Sequence, residues 1–497
     1  MSKELRSLSM DCLTQSQREH HEKVLNSPVK IMQVGEGNFL MSFFDWMVDQ
    51  AIKKGNYNGS IALTCPLNYD GKINTLNSQD KLYTVVQRGF KGDNEIFEQD
   101  IISVFSKVFN YNVEWDTFMN IAEQESLDVV ISNTTEAGLA YKNVSLENVA
   151  TEGLYPGKLT AFLMHRFNTL GHISKKLLIF PCELVAENGR VLKEFVAKHA
   201  EDFGASEEFK AWVNENCVFL NNLVDRIVPG YPREDSQAYF DRFGYKDEAM
   251  SMCEPFFLWA IEGSEELDKI LPLKESGLNV QWLESLHDTQ LLKVRILNGS
   301  HTLITPQSIL KGFNQVDEVV ENEQMKEYLN ETLQKEILPS LKNKTGNKEE
   351  FASTVLGRFR NPHIKHKLES ISMNSVSKFQ NRLWPTIKSF IEDNNKFPEN
   401  MMIGLAGLLR FYQISKRENG YVGYDFNGNE YKVFDTPEVL EFMENANSKF
   451  EEKNEEYVRY VLSEDKLWGE DLTKYLNIVE VVTEKLQAME KEYEPVH

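Results

Sequence analysis

The stretch Val29-Lys-Ile-Met-Gln-Val34-Gly35-Glu36-Gly37-Asn38-Phe39-Leu40 decides the fold. Its first six residues are a short, mostly apolar run that reads as a buried strand, and two glycines, one residue apart, follow it. Phe39 to Lys53 then carries apolar residues at Phe39, Leu40, Phe43, Phe44, Trp46, Met47, Val48 and Ile52, the pattern of a helix packed on a sheet. A strand that runs through Gly-x-Gly into a helix is the setting of a dinucleotide site. The glycines let the backbone approach a pyrophosphate, and the helix N-terminus offers N–H groups to it. Leu40 stands where the full fingerprint has a third glycine, and a plain strand-to-helix turn explains Gly-x-Gly equally well.

Moving outward, Ile61–Thr64, Tyr83–Val86, Ile101–Phe105, Asp128–Ser132 and Lys176–Phe180 read as further strands. Helical patterns lie between them near 116–123, 158–169 and 190–200, and the polar residues 1–28 lead in as a short helix or extended arm. Alternating strands and helices predict an α/β fold, a doubly wound, mostly parallel sheet of the Rossmann type. The loop Asn133-Thr134-Thr-Glu136-Ala-Gly138 leaves the carboxyl end of one predicted strand, where such sheets bind ligands. A helix cap by Ser132 or Thr134 is the alternative there. The ribose signal is weak: the second strand ends Thr64-Cys65-Pro66, the nearest acid is Asp70, and no arginine stands there for a 2′-phosphate. The cofactor reading leans to NAD.

From about residue 290 strand-like runs almost vanish. Long helical patterns take over, with turns expected at Pro306, Pro339, Pro362, Pro385 and Pro398, and a hairpin-like excursion over Gly420–Val433. The boundary falls between about 280 and 295. It divides the chain into a Rossmann-type domain, 1–288, and a mainly helical substrate and catalytic domain, 289–497.

The 497 residues are 41% hydrophobic and 26% charged, which suits a globular protein with an ordinary core. A formal charge of −22 argues against nucleic-acid binding, since phosphate contacts need clustered Lys and Arg. The five cysteines include no Cys-x-x-Cys pair, so neither a disulfide framework nor structural zinc is expected. No apolar signal core follows Met1 and no run is long enough for a membrane span, so a cytoplasmic protein without membrane partners is expected.

The chemistry concentrates in Lys293-Val-Arg-Ile-Leu-Asn298-Gly-Ser-His301. On a regular α-helix Asn298 and His301 share a face, while Lys293 sits about 140° from Asn298 and about 80° from His301. Reduction of a carbonyl needs a hydride donor, a hydrogen-bond donor for the forming alkoxide, and a proton source. A lysine among apolar walls can supply the proton, an asparagine N–H can hold the oxyanion, and a neutral histidine can hold a substrate hydroxyl. Leu291, Leu292, Val294, Ile296 and Leu297 around the lysine predict a mostly buried helix. A solvated polar face is the bland alternative. His363-x-x-His366, two imidazoles on one predicted helical face, is the metal alternative, but no third ligand stands at a useful spacing.

At these residues the chain resembles the polyol-specific long-chain dehydrogenases, the family of mannitol dehydrogenase, fructuronate reductase and tagaturonate reductase. Gly35-Glu-Gly-Asn-Phe39, Gln79-Asp-Lys-Leu-Tyr-Thr84, Val224-Asp-Arg-Ile-Val-Pro229 and Lys293…Asn298…His301 carry that resemblance. Ile131-Ser-Asn-Thr-Thr-Glu-Ala-Gly138, Phe180-Pro-Cys-Glu-Leu184, Glu254-Pro-Phe-Phe-Leu-Trp259 and Asn374-Ser-Val-Ser-Lys-Phe379 narrow it to the tagaturonate reductase (altronate oxidoreductase) branch. The resemblance implies metal-free, NAD-linked interconversion of D-tagaturonate and D-altronate in galacturonate breakdown. It makes Lys293 the general acid/base, Asn298 an oxyanion donor and His301 a substrate-positioning residue. Val34, Gly35, Gly37, Asn38, Phe39, Asn133, Thr134 and Glu136 become the cofactor-binding candidates. Asp225 and Lys378 match looser blocks and are substrate candidates. A second oxyanion asparagine expected after the Cys182 block is replaced by Leu184, and Asn188 is the candidate to stand in for it.

A sugar-acid substrate also needs a cation for its carboxylate. Arg358, Arg360, Lys365 and Lys378, with Arg226 and Arg295, are the candidates, and an arginine fork fits a carboxylate better than an ammonium. Open alternatives are fructuronate reduction, neutral polyol oxidation, and a non-catalytic dinucleotide sensor. The expected partner is a small sugar acid, and the assembly is a monomer or weak dimer.

Overall fold

The structure is a computed structural model. It describes residues 5–67, 70–91, 94–135, 137–171, 173, 175–342, 347–450 and 454–492. The chain falls into two compact units, Met1–Leu286 and His287–His497.

In the first unit the mostly buried residues of the opening stretch form β1, Val29–Val34. The strands that follow are β2 (Ser60–Thr64), β3 (Tyr83–Lys91), β4 (Asn94–Ile102), β5 (Phe105–Phe109), β6 (Val129–Ser132), β7 (Leu177–Pro181) and β8 (Cys217–Phe219). Then come β9 (Asn222–Asp225), β10 (Ser251–Cys253), β11 (Leu258–Glu262) and β12 (Val280–Leu283). Six of them make one parallel sheet in the order β5-β2-β1-β6-β7-β8. That is the doubly wound Rossmann arrangement, and the strand order reverses between β1 and β6. Alternate side chains serve opposite faces. Ile31, Ile61, Leu63 and Ile131 pack on Leu40, Phe43, Phe44 and Met47. Met32, Val34, Ala62 and Val130 pack on Phe118, Phe162 and Leu192. Each such buried Val, Leu, Ile, Met or Phe side chain contributes about 1.5–3 kcal/mol.

The strand expected at Ile101–Phe105 is in fact two. Ile101 and Ile102 end β4, in the three-stranded sheet β10-β3-β4, and Phe105 opens β5 of the parallel sheet. One apolar run thus serves two sheets, which its hydrophobicity does not reveal. A third sheet, β12-β11-β9, accounts for strands in the region 222–283 that the sequence pattern did not suggest. The leading residues include a helix, Gln15–Leu25, closed by a Thr14/Gln17 capping box.

The second unit is mainly helical. The helix Gly299–Leu310, nearly all buried, packs on Glu399–Phe411, which in turn packs on Ile478–Glu492. Gly404 and Gly407 permit the close crossing: a Cβ at either would come within 2.4 Å of Leu303 or 2.5 Å of Gln307. Pro306 corrects another expectation, since it lies inside Gly299–Leu310 and makes no turn. It removes one N–H, and the buried packing on either side holds the helix together. The 420–433 excursion is an antiparallel sheet of β13 (Ser415–Arg417), β14 (Gly420–Tyr424) and β15 (Glu430–Val433). Among the described residues no helix is long and apolar enough to cross a membrane.

Candidate active-site residues

In the first unit the candidate nucleotide residues gather where the strand order reverses. Gly35 donates its amide to the Thr64 carbonyl at 2.8 Å, and Asn133 donates its own to Val34 at 3.0 Å. The ends of β2, β1 and β6 are thereby tied side by side. Gly35 has φ +128°, and a Cβ there would lie 2.8 Å from the Asn133 carbonyl oxygen, so only glycine fits. A Cβ at Gly37 would meet nothing within 4 Å. Open space therefore lies in front of the helical segment that starts at Asn38. Phe39 stacks on Phe43 at 5.0 Å, and Asn38 accepts a hydrogen bond from Lys72 at 2.6 Å. Burial raises the Glu36 carboxyl above its ordinary range and lowers the Lys72 ammonium. Leu40 is fully buried, and the helix underwinds into a π-turn just after it, over Met41–Asp45.

The helix-cap reading of Ser132 and Thr134 fails, because the described residues after Asn133 form turns and Thr135 has φ +75°. Glu183 organises this loop instead. Its buried carboxylate accepts from the Thr134 amide at 2.9 Å, the Thr134 hydroxyl at 3.0 Å and the Ser132 hydroxyl at 3.2 Å. Asn133 donates its side-chain amide to the Cys182 carbonyl at 2.8 Å. Glu136 lies outside the described residues. Glu183 was within the Phe180–Leu184 block, but nothing in its spacing marked it as the anchor. Gln33 was also missed: buried, it donates to the Gly35 carbonyl at 3.1 Å and to Asp45 at 3.3 Å.

Asn188 is buried, and its side chain donates to the carbonyls of Glu183 at 3.3 Å and Asn222 at 3.0 Å. Its oxygen accepts from the amides of Gly189 and Asn222. With both donors used it serves as a loop tie. Asp225 is buried at the end of β9, opposite Leu258. Arg226 donates to Glu254, Ser42 and Gln87 and stacks over Trp46, so its fork is committed within the core.

In the second unit the helix His287–Leu292 gives way to a π-turn over Lys293–Asn298, and α-helix resumes at Gly299. The Gly299 amide reaches back five residues to the Val294 carbonyl. This corrects the angular argument made for a regular helix. A π-turn closes on i→i+5 hydrogen bonds and turns by about 82° per residue, so residues five apart differ by about 50° around the axis. Lys293 and Asn298 are five apart, and their offset narrows from about 140° to about 50°. His301 follows one α-turn later. Lys293, Val294 and Asn298 are half-buried, so the segment is less enclosed than its apolar residues suggested.

His301 is buried, stacks on Phe359 with ring centres 4.2 Å apart, and meets His366 edge-on at 4.9 Å. Among the described residues its Nε2 has no hydrogen-bond partner. Burial first, then the nearby His366, Arg358, Arg382 and Lys378, hold the imidazole well below its ordinary pKa, hence neutral. Arg358 is buried, and Lys378 donates to the Ile371 carbonyl at 2.8 Å. Arg295 donates to the carbonyls of Asn381 at 2.7 Å and Arg382 at 2.9 Å, a structural tether. His363 and His366 lie in turns and irregular backbone, so the shared helical face proposed for a metal pair does not exist. Arg360 is exposed, and Lys365 is exposed with φ +43°.

Residues 29–275 match the model described as the mannitol dehydrogenase Rossmann domain, and residues 286–490 match the mannitol dehydrogenase C-terminal domain. The chain belongs to the mannitol dehydrogenase family. It is accordingly an oxidoreductase acting on CH–OH groups. It is 35% identical to an altronate oxidoreductase of Halalkalibacterium halodurans, over 93% of this chain and 90% of the relative. It is 36% identical to one of Bacillus subtilis, over 90% of each chain. It is 35% identical to one of Bacteroides thetaiotaomicron, over 93% and 95%. In fold it is similar to Pseudomonas fluorescens mannitol 2-dehydrogenase, solved as a ternary complex with NAD and D-mannitol. The TM-score is 0.67 at 20% identity, covering 95% and 93% of the two chains. A D-sorbitol dehydrogenase in substrate-free form gives a TM-score of 0.77 at 20% identity, covering 94% and 93%.

Proposed function

We propose that this mannitol dehydrogenase family member interconverts D-tagaturonate and D-altronate with NAD, without metal, in the breakdown of galacturonate. The observation that supports the reading is the π-turn over Lys293–Asn298, which narrows the angle between the two side chains, with the neutral His301 one turn beyond. The relatives named altronate oxidoreductase supply the substrate. The residues of the first unit fit a dinucleotide. The Gly35–Gly37 turn, the open space at Gly37 and the amide-lined start of the helix at Asn38 form a cradle that a Cβ at Gly37 would begin to fill. Gly35, Gly37, Asn38, Phe39, Asn133 and Thr134 would hold it, with Val34 and Glu183 fixing the loops. When bound, the reduced cofactor NADH would supply the hydride for ketone reduction, and NAD+ would accept it in the reverse direction.

The chain's own residues do the rest. Lys293 gives a proton to the substrate oxygen as negative charge builds on it, and takes the proton back in oxidation. Asn298 donates an N–H to the same oxygen and stabilises the charge without adding any. His301, held neutral, offers Nε2 as an acceptor to a substrate hydroxyl. Asp225 is a further substrate candidate, while Asn188 positions the loop that follows Cys182.

Lys293→Ala should lower kcat for D-tagaturonate about 100- to 10,000-fold. NADH binding, followed by fluorescence, should stay within about twofold. Undiminished reduction by Lys293→Ala would remove the lysine from the mechanism. A purified protein that binds NADH and turns over no sugar acid would favour the sensor reading instead.

A further inference from the structure

Among the described residues, two arginines, a lysine and two histidines converge on one place in the second unit. His301 lies at its centre, flanked by Phe359 and His366, with an unpartnered Nε2. The charges that bear most on its imidazole are those of bases: His366, Arg358, Arg382 and Lys378. Arg382 and Lys378 are held in place by neutral groups. Arg382 donates to the Thr302 hydroxyl at 3.2 Å, and Lys378 donates to a backbone carbonyl. Asp435 is the acid that draws on Lys378, and its carboxylate is already bonded to Tyr412. Bringing cations out of water toward one another is unfavourable unless an anion completes the set.

The place also lies at a useful distance from the reacting groups. The Thr302 hydroxyl donates to the Asn298 carbonyl at 2.9 Å. Arg382 is therefore anchored one α-helical turn, about 6 Å, beyond the asparagine. That is the reach of an open six-carbon chain. Arg295 fixes the Arg382 backbone to the π-turn itself. Among the other candidate cations, Arg226 is committed to its own core and Arg295 to this tether.

We propose that Arg382, with Lys378 and His366 beside it, binds the carboxylate of the substrate while the ketone lies at Lys293 and Asn298. The inference rests on the sugar-acid reading above and names the residues that select the acid over the neutral sugar. Arg382 offers a planar fork to the carboxylate, and His301 sits between it and the reacting carbon as the acceptor for a hydroxyl.

The test is steady-state kinetics of the full-length enzyme with NADH, using D-tagaturonate and neutral D-fructose, for wild type, Arg382→Ala and Arg382→Lys. Arg382→Ala should raise KM for tagaturonate about 100-fold, with a much smaller change in kcat. The ratio of kcat/KM for acid over neutral ketose should fall by a similar factor. Guanidinium ion added to the alanine variant should restore part of the loss, and Arg382→Lys should recover about tenfold of it. An unchanged KM, or an equal loss on both ketoses without guanidinium rescue, would overturn the assignment and leave Arg382 a structural tie. Failure of the wild type to reduce any sugar acid would overturn the substrate reading itself, a result visible before any variant is made.

Discussion

Lys158 is a residue whose environment is at odds with its charge. It is 2% exposed, over the Tyr111 ring at 4.1 Å, and burial pushes its ammonium down to about 8. Between pH 8 and its ordinary value of 10.5 the unfolded chain binds more protons at this site than the folded one, so stability rises with pH across that window. Below pH 8 the folded chain carries the buried cation at a cost of about 3 kcal/mol. The Tyr111 ring and the Asn112 side-chain oxygen, which accepts its hydrogen bond, offset part of that cost. Lys158→Met should raise Tm at pH 7 by about 3 °C, with the gap closing toward pH 10. Scanning calorimetry at the two pH values checks this, and a lower Tm at pH 7 would contradict it. Gly35 shows the opposite case, a residue whose role was legible at once. Its place after an apolar run marked a tight turn, and its φ of +128° against the Asn133 carbonyl is the physical reason. His301 was legible as a candidate, and so singly were Arg358, Lys378 and His366, but Arg382 and the convergence of these bases on His301 were not. Arg358, His366, Lys378 and Arg382 are spread over 25 positions of sequence, and only the folded helices bring them to one imidazole.

At the scale of elements, Glu183 is the side chain that holds the 133–135 loop, through three hydrogen bonds from Ser132 and Thr134. Glu183→Ala should strand those donors and lower stability by about 1–3 kcal/mol. It should also weaken NADH binding about tenfold, because the loop next to Gly35 loses its anchor. Denaturant unfolding and NADH titration on the same preparation measure both. Glu183→Gln, which keeps the acceptor for Thr134, should retain most of each. The parallel strands β1, β6 and β7 were readable because burial on both faces makes them mostly apolar runs. The strands β8 to β12 were not: β8 and β10 are three residues each, and β9, β11 and β12 include polar residues in runs of four or five. The hairpin of β3 and β4 had a signal in Gly92-Asp93 between two strand-like runs, though its ladder extends well past the segment recognised. The π-turn at Lys293–Asn298 could not be read at all. Its composition is that of an α-helix, and it differs by one residue of winding. That winding decides whether the lysine and the asparagine face the same substrate atom.

For the whole molecule the Rossmann unit and the helical unit each carry one half of the proposed chemistry. The first has the glycine turn, and the second has the proton carrier, the oxyanion donor and the cationic cluster. The chain's net charge of −22 makes that cluster a local exception, set by packing and independent of the overall charge. The most direct test of the central claim is a substrate panel on the full-length enzyme. D-tagaturonate, D-fructuronate and D-fructose would each be assayed with NADH and with NADPH, in the presence and absence of EDTA. The account predicts that D-tagaturonate with NADH gives the highest kcat/KM and that the chelator leaves it unchanged. Preference for neutral D-fructose, or loss of activity with EDTA, would contradict it.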